Sequence, residues 1–150
     1  MMDDMKRLFA GLDFAARCLL AAVFAYAAWS KLEDPALFAT VIESYRLVPA
    51  IFAGWAAIVL PPLEMLTALA LLFTKWSRES ALLMTGMLLV FLVGLTQAWA
   101  RGLQIDCGCF GPSEPGAAPP LWLDILRDIG LLVASVWLTV RPSHWIFGRR

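Results

Sequence analysis

Charge is scarce in this sequence. Asp, Glu, Lys and Arg make up 16% of its 150 residues and cancel to a formal net charge of zero, whereas about a quarter of an ordinary soluble domain is charged. No basic run exceeds the pair Arg149 and Arg150, so the electrostatic footprint of a nucleic-acid binder is missing. Histidine occurs once, as His144, and cysteine three times, as Cys18, Cys107 and Cys109. That is a poor supply of ligands for a closed zinc site. Long linkers, low-complexity tracts and repeats of solenoid period are absent as well.

What the chain has is apolar length, with 61% of its residues hydrophobic. Four stretches, near residues 9–31, 50–73, 80–99 and 121–140, approach the roughly 20 helical residues that cross a bilayer core of about 30 Å. Between them lie "KLEDPALFATVIESYRLVP", "TKWSRES" and "RGLQIDCGCFGPSEPGAAPP", which carry the charges, prolines and glycines of connecting segments. Backbone in lipid must satisfy its own hydrogen bonds. The expected fold is therefore all-α: one integral membrane domain over residues 1–150, built as a bundle of four transmembrane helices. The first stretch also resembles a signal peptide, with Lys6 and Arg7 before an apolar run and Ala25-Tyr26-Ala27 like a cleavage site. Arg17 interrupts that run and the segment is long, so we expect it to be retained as a helix.

Short loops on the cytoplasmic side carry an excess of Lys and Arg. With the N-terminus inside, the inner segments hold Lys6, Arg7, Lys75, Arg78, Arg141, Arg149 and Arg150, and the outer loops only Lys31, Arg46 and Arg101. Both termini are expected in the cytoplasm and the 100–120 loop outside it. Trp29, Trp99 and Trp122 fall at the outer helix ends and Trp76 and Trp145 near the inner ones, as interfacial rings do. Trp55 and Trp137 lie deeper, where packing is the expected role.

Cys107-Gly108-Cys109 then sits where disulfides form and persist. A structural cross-link gains most by closing a long loop, and this pair closes almost none. Bridging it would strain the ring; a cost of ~3 kcal/mol raises the reduction potential by roughly 60 mV, toward the labile class. Gly108 tolerates the backbone angles of so tight a ring. A redox dithiol is the favoured reading. Soft-metal binding, by copper(I) for instance, and an inert or structural pair remain open. A zinc site is disfavoured because His144 belongs to the opposite end of the bundle, so no metal site is assigned. Cys18 reads as a small buried apolar residue.

Ionisable groups within the spans form a second constellation, since each costs about 2.5 kcal/mol or more in lipid and is seldom left facing it. Arg17 lies in the first span, Glu64 in the second, and Arg127 with Asp128 in the fourth. Asp13 and Arg17 share a helix face and are placed to pair. Arg127 and Asp128 are adjacent, point to different faces, and each calls for a partner on another helix. Glu64 follows Pro61-Pro62, which remove backbone donors and predict a kink with freed carbonyls beside a buried acid. Arg17 or Arg127 is its expected partner, and it is a candidate proton carrier or ligand anchor. Lys31, Arg101 and Arg127 are expected to surround the cysteine loop, where cations stabilise thiolate. A purely structural ion-pair network explains the same charges.

Taken in order, "KLEDPALF", "YRLVP", "LPPLEMLTALALL", "RGLQIDCGCFG" and the Arg127-Asp128 pair resemble the MauE branch of the DoxX-like membrane proteins over about residues 14–140. The resemblance implies a four-helix membrane protein of the bacterial inner membrane tied to redox maturation of exported proteins. It points to Lys31, Glu64, Cys107, Cys109, Arg127 and Asp128 as site residues without assigning their roles. The expected function is thiol-disulfide oxidoreduction, or electron passage, between an extracytoplasmic thioredoxin-like or disulfide-containing client and a lipid-soluble acceptor. A quinone would be that acceptor, with Arg17, Glu64 and Arg127 as candidate anchors. Two other classes stay in view: a non-enzymatic assembly factor or scaffold for a secreted client or soft metal, and a small-solute carrier using Glu64.

Overall fold

A computed structural model describes residues 2–73, 76–103 and 120–140, with the side chains of residues 2, 3 and 6 left aside. Among the described residues there are five helices: α1 (Met2–Glu33), α2 (Pro35–Ser44), α3 (Ala50–Phe73), α4 (Ser77–Ala100) and α5 (Leu121–Val140). The four long helices overlap the four apolar stretches of the sequence, and α1 runs unbroken through Ala25-Tyr26-Ala27. Three segments, Arg7–Glu33, Ala50–Phe73 and Ser77–Ala100, are long and apolar enough to cross a membrane. The last helix, α5, has 20 residues but carries Asp124, Arg127 and Asp128 in its first half, which lowers its apolarity. The chain is thus a multi-pass membrane protein.

One helix was not foreseen. The stretch after the first span, read as a linker, folds as α2 because its start signals are complete. Asp34 caps it by accepting from the Leu37 backbone N–H at 2.9 Å, and Pro35 occupies the first helical position, where a missing N–H costs nothing. The helix ends at Tyr45, and Arg46 turns the chain through a left-handed backbone conformation (φ 52°).

The helices pack in a ring in which α1 contacts α3 and α5, and α4 contacts α3 and α5. α2 lies against α3. The reason is legible in the buried positions of each helix, which recur at three- and four-residue spacing and so form one inward stripe. On α1 the stripe is Leu20, Ala21, Phe24, Ala28 and Lys31; on α5 it is Leu121, Asp124, Asp128, Leu131, Ser135 and Leu138. The main core joins Leu20, Ala21 and Phe24 to Ala68 and Leu71 of α3, Ala81, Met84, Met87 and Leu88 of α4, and Leu131 and Leu138 of α5. Thr85 Oγ1 also donates to Ser135 Oγ at 2.9 Å, tying α4 to α5.

Outward positions are apolar too, as lipid-facing surfaces are. Trp55 (66% exposed) and Trp137 (40%) belong to that surface and not to the packed interior, which corrects the reading of both as core residues. The expected Asp13–Arg17 pair does not form: Asp13 instead accepts from the Trp137 indole N–H at 2.9 Å, across α1 and α5. Cys18 is half-buried and its thiol is free.

Candidate functional site

Lys31 is the hub of a buried charged centre. Its Nζ donates to both carboxylate oxygens of Glu64, at 2.6 and 2.8 Å, and the two side chains are each only 2% exposed. The ammonium also sits over the rings of Phe38 and Phe91, 5.0 and 4.8 Å from their centroids. Rings present their negative faces to a cation, and desolvation strengthens that attraction. One ammonium on α1 is therefore enclosed by groups from α2, α3 and α4.

Glu64 reaches this point because it belongs to the inward stripe of α3, with Ala57, Pro61, Thr67 and Ala68. The helix continues through Pro61 and Pro62 without interruption, while those prolines leave the Ala57 and Ile58 carbonyls without their usual donors. Thr67 Oγ1 donates to the Leu63 and Glu64 carbonyls, at 2.7 and 2.9 Å, reinforcing the turn that carries the acid.

A second ion-pair group lies on α5. Arg127 donates through Nη1 to Asp124 Oδ1 at 2.8 Å, and through Nη2 and Nε to Asp128 Oδ1 at 2.9 and 3.1 Å. Asp124 and Asp128 are four residues apart and share a buried face, so the intervening guanidinium curls back to meet both. This corrects two expectations. Arg127 and Asp128 find each other within one helix, and the partner of Glu64 is Lys31, not Arg17 or Arg127. Asp124 was missed, although its spacing from Asp128 on either side of Arg127 was the available signal. Phe38 and Phe91 had no comparable signal, because each resembles any other apolar residue of its helix.

The three cations expected around the cysteine loop are not equivalent. Lys31 is buried and paired; Arg127 has a side chain one quarter exposed (25%). Arg101 lies at the end of α4, where its guanidinium donates to the Gln97 side-chain oxygen at 2.8–3.0 Å in the amide orientation that satisfies both groups. Arg17 stands apart: fourteen residues separate it from Lys31 on one continuous helix, about 21 Å at 1.5 Å per residue.

Cys107 and Cys109 lie outside the described residues, but the described residues that flank their segment are well held. α4 terminates with Gly102 in the left-handed conformation (φ 65°), the Gly102 N–H donating to Trp99 O and the Leu103 N–H to Ala98 O, each at 3.0 Å. This helix-ending arrangement calls for glycine after the last turn and explains the Arg101-Gly102 dipeptide. Leu103 then packs in a small cluster with Tyr45, Leu95, Ala98, Leu121 and Ile125. Leu121 opens α5, so the segment leaves from and returns to one apolar cluster. Asp124 and Asp128 follow Leu121 by one and two helical turns, within about 10 Å along the axis.

The bundle and its centre define a class: a multi-pass membrane protein whose interior carries a buried Lys–Glu pair. The family described as "Methylamine utilisation protein MauE" matches residues 9–141, and the chain belongs to that family. Among similar proteins named "Methylamine utilization protein MauE", that of Paracoccus denitrificans is 37% identical over 125 residues, covering 82% of this chain and 66% of the relative. That of Paracoccus versutus is 38% identical over 100 residues, 66% of this chain and 54% of the relative. That of Methylophilus methylotrophus is 33% identical over 142 residues, 93% and 70% respectively. The chain thus spans about half to two thirds of the length of the two Paracoccus relatives. No solved structure matches it.

Proposed function

We propose that this protein serves methylamine utilisation as a membrane thiol-disulfide oxidoreductase, or as its electron-passing subunit, with Cys107 and Cys109 as the redox pair. The observation that supports the reading is that Leu103 and Leu121, which flank the cysteine segment, meet in one apolar cluster at the end of α5 that carries Asp124, Arg127 and Asp128. In this reading the segment faces the periplasm, the termini face the cytoplasm, and α5 completes a fourth span in the inner membrane.

A thiolate of an extracytoplasmic client, thioredoxin-like or rich in disulfides, attacks one sulfur of the Cys107–Cys109 disulfide. A mixed disulfide forms and the other sulfur leaves as thiolate. The client's second thiolate then displaces the bound sulfur, so the client is oxidised and the pair holds two electrons as a dithiol. A lipid-soluble carrier of the quinone class is the acceptor, taking two electrons and two protons. Among the described residues Arg127, partly exposed beside two acids, suits a carbonyl oxygen, and Glu64 and Asp128 are the acids placed to pass protons. Lys31 holds Glu64 in position.

Single replacement of each cysteine tests this. In membranes isolated under thiol-blocking conditions, Cys107→Ser or Cys109→Ser is expected to retain a client through a reducible bond, visible as a mass increase on a non-reducing gel and identifiable by peptide mass spectrometry. Two thiols that stay reduced in wild-type membranes under every growth condition, with no adduct in either variant, would refute it. One observation favours a second reading, a non-enzymatic scaffold: Lys31 and Glu64 satisfy each other, as a purely structural pair does. In that case Cys109→Ser leaves client oxidation unchanged.

A further inference from the structure

The opposite end of the bundle carries polar groups that the charged centre does not use. Arg17 precedes Leu20 and Ala21 by one turn on α1, and those two residues are 0% and 2% exposed. It therefore belongs to the inward stripe, next to Ala16, which packs against the edge of the core cluster. Its Nε is buried and has no hydrogen-bond partner, and Asp13, the acid on the same face, accepts from Trp137. An arginine in this setting is costly to leave uncompensated.

Ser77 occupies the matching place on α4. It precedes Ala81 by one turn, and Ala81 shares the core cluster with Leu20 and Ala21. Arg17 and Ser77 thus stand at the same end of the bundle, on α1 and α4, which lie opposite each other in the ring without close backbone contact. Ser77 is 2% exposed and its Oγ likewise lacks a partner. It is also the first residue of a 24-residue helix whose N-cap, Trp76, supplies no side-chain cap. The first N–H groups of such a helix have no intrahelical acceptor, and its dipole presents partial positive charge. A guanidinium, a buried hydroxyl and a helix N-terminus are all seeking an anion.

We propose that Arg17, Ser77 and the first turn of α4 form a binding site for a phosphate oxyanion at this end of the bundle. Arg78, which donates through Nε to the Thr139 carbonyl at 3.1 Å, adds positive charge from the same turn and offsets the one acid there, Glu79. The site lies about 21 Å along α1 from Lys31, so it is separate from the redox reading and survives its failure. The oxyanion chemistry is common to a phospholipid headgroup and to inorganic phosphate. The position at a helix-bundle end, in a chain with an apolar outer surface, brings a headgroup within reach.

The test is native mass spectrometry of the full-length protein in mild detergent, with phosphatidylglycerol added in one arm and inorganic phosphate in another. Wild type is expected to hold one phosphate-bearing species per chain. Arg17→Gln is expected to weaken retention at least tenfold, and Ser77→Ala several-fold. Arg17→Lys, which keeps the charge, should recover part of the loss, and it guards against misreading an unfolded variant. Adducts in the lipid arm alone assign the headgroup; adducts in the phosphate arm that displace lipid assign the free ion. A folded wild type that binds neither, or equal binding by wild type and a monodisperse Arg17→Gln, would overturn the proposal.

Discussion

Removing one partner of the Lys31–Glu64 pair is the most discriminating perturbation of this protein. At the observed 2.6 and 2.8 Å, Coulomb's law with an effective dielectric constant of about 20 gives an attraction near 6 kcal/mol. Desolvating each ion costs several kcal/mol, so the intact pair is close to neutral in net stability. A single replacement is a different matter. Lys31→Met or Glu64→Met leaves the other group buried, desolvated and unpaired, at a cost of about 3–5 kcal/mol. The double variant removes both charges together and forfeits chiefly the two ring contacts, each worth roughly 0.5–1 kcal/mol or somewhat more when desolvated. It should therefore lose no more than ~2 kcal/mol, less than either single change. Reversible unfolding of the four proteins in mixed micelles, analysed as a double-mutant cycle, measures the coupling directly. Single losses that simply add, with coupling under about 0.5 kcal/mol, would refute the account of the centre given above.

Arg127→Ala should destabilise by ~3 kcal/mol because it takes the guanidinium away from two buried carboxylates, while Arg127→Lys should recover only part, since an ammonium lacks the fork that reaches Asp124 and Asp128 together; unfolding in the same micelles checks both. Gly94 tests the seat of the α2–α3 connection. A Cβ there would meet Leu47 Cδ1 at 3.7 Å and Tyr45 at 3.8 Å, ordinary contacts, so Gly94→Ala should be accepted, whereas Gly94→Leu should lower the unfolding midpoint by an overpacking cost of about 1–3 kcal/mol. Trp137→Phe removes one donor from Asp13 and should cost roughly 1 kcal/mol, read from the same unfolding curves. Replacing Gly102, which adopts φ 65°, by Val should loosen the end of α4 by ~1 kcal/mol or more, seen as faster amide exchange at Leu103.

The long helices were readable because lipid imposes a crude rule, apolar length, that needs no partner to be recognised. Helix α2 escaped that rule: it is short, and its cap at Asp34 and Pro35 is a local signal that a search for spans passes over. The charged residues were found one by one, since Lys31, Glu64, Arg127 and Asp128 are conspicuous in apolar surroundings. Their pairing was not. Lys31 and Glu64 are thirty-three residues apart, and which cation reaches the acid depends on how α1 and α3 are set against each other. Within α5 the reach of a long guanidinium outweighed the opposed directions of adjacent Cα–Cβ bonds, so neighbours paired where separate partners were expected.

Composition and spacing alone determined that this chain lives in a membrane as a helical bundle, which residues would be expensive there, and where the cysteine segment falls between helices. Tertiary packing decided how that expense is met. It put Lys31 between Glu64 and two aromatic rings, brought Leu103 and Leu121, which flank residues 104–119, into one apolar cluster, and left Arg17 on the inward stripe of α1 at the far end. The physical reason is that burial and helix formation depend on each residue's own chemistry and near neighbours, whereas charge compensation depends on distances of a few ångströms between separate helices.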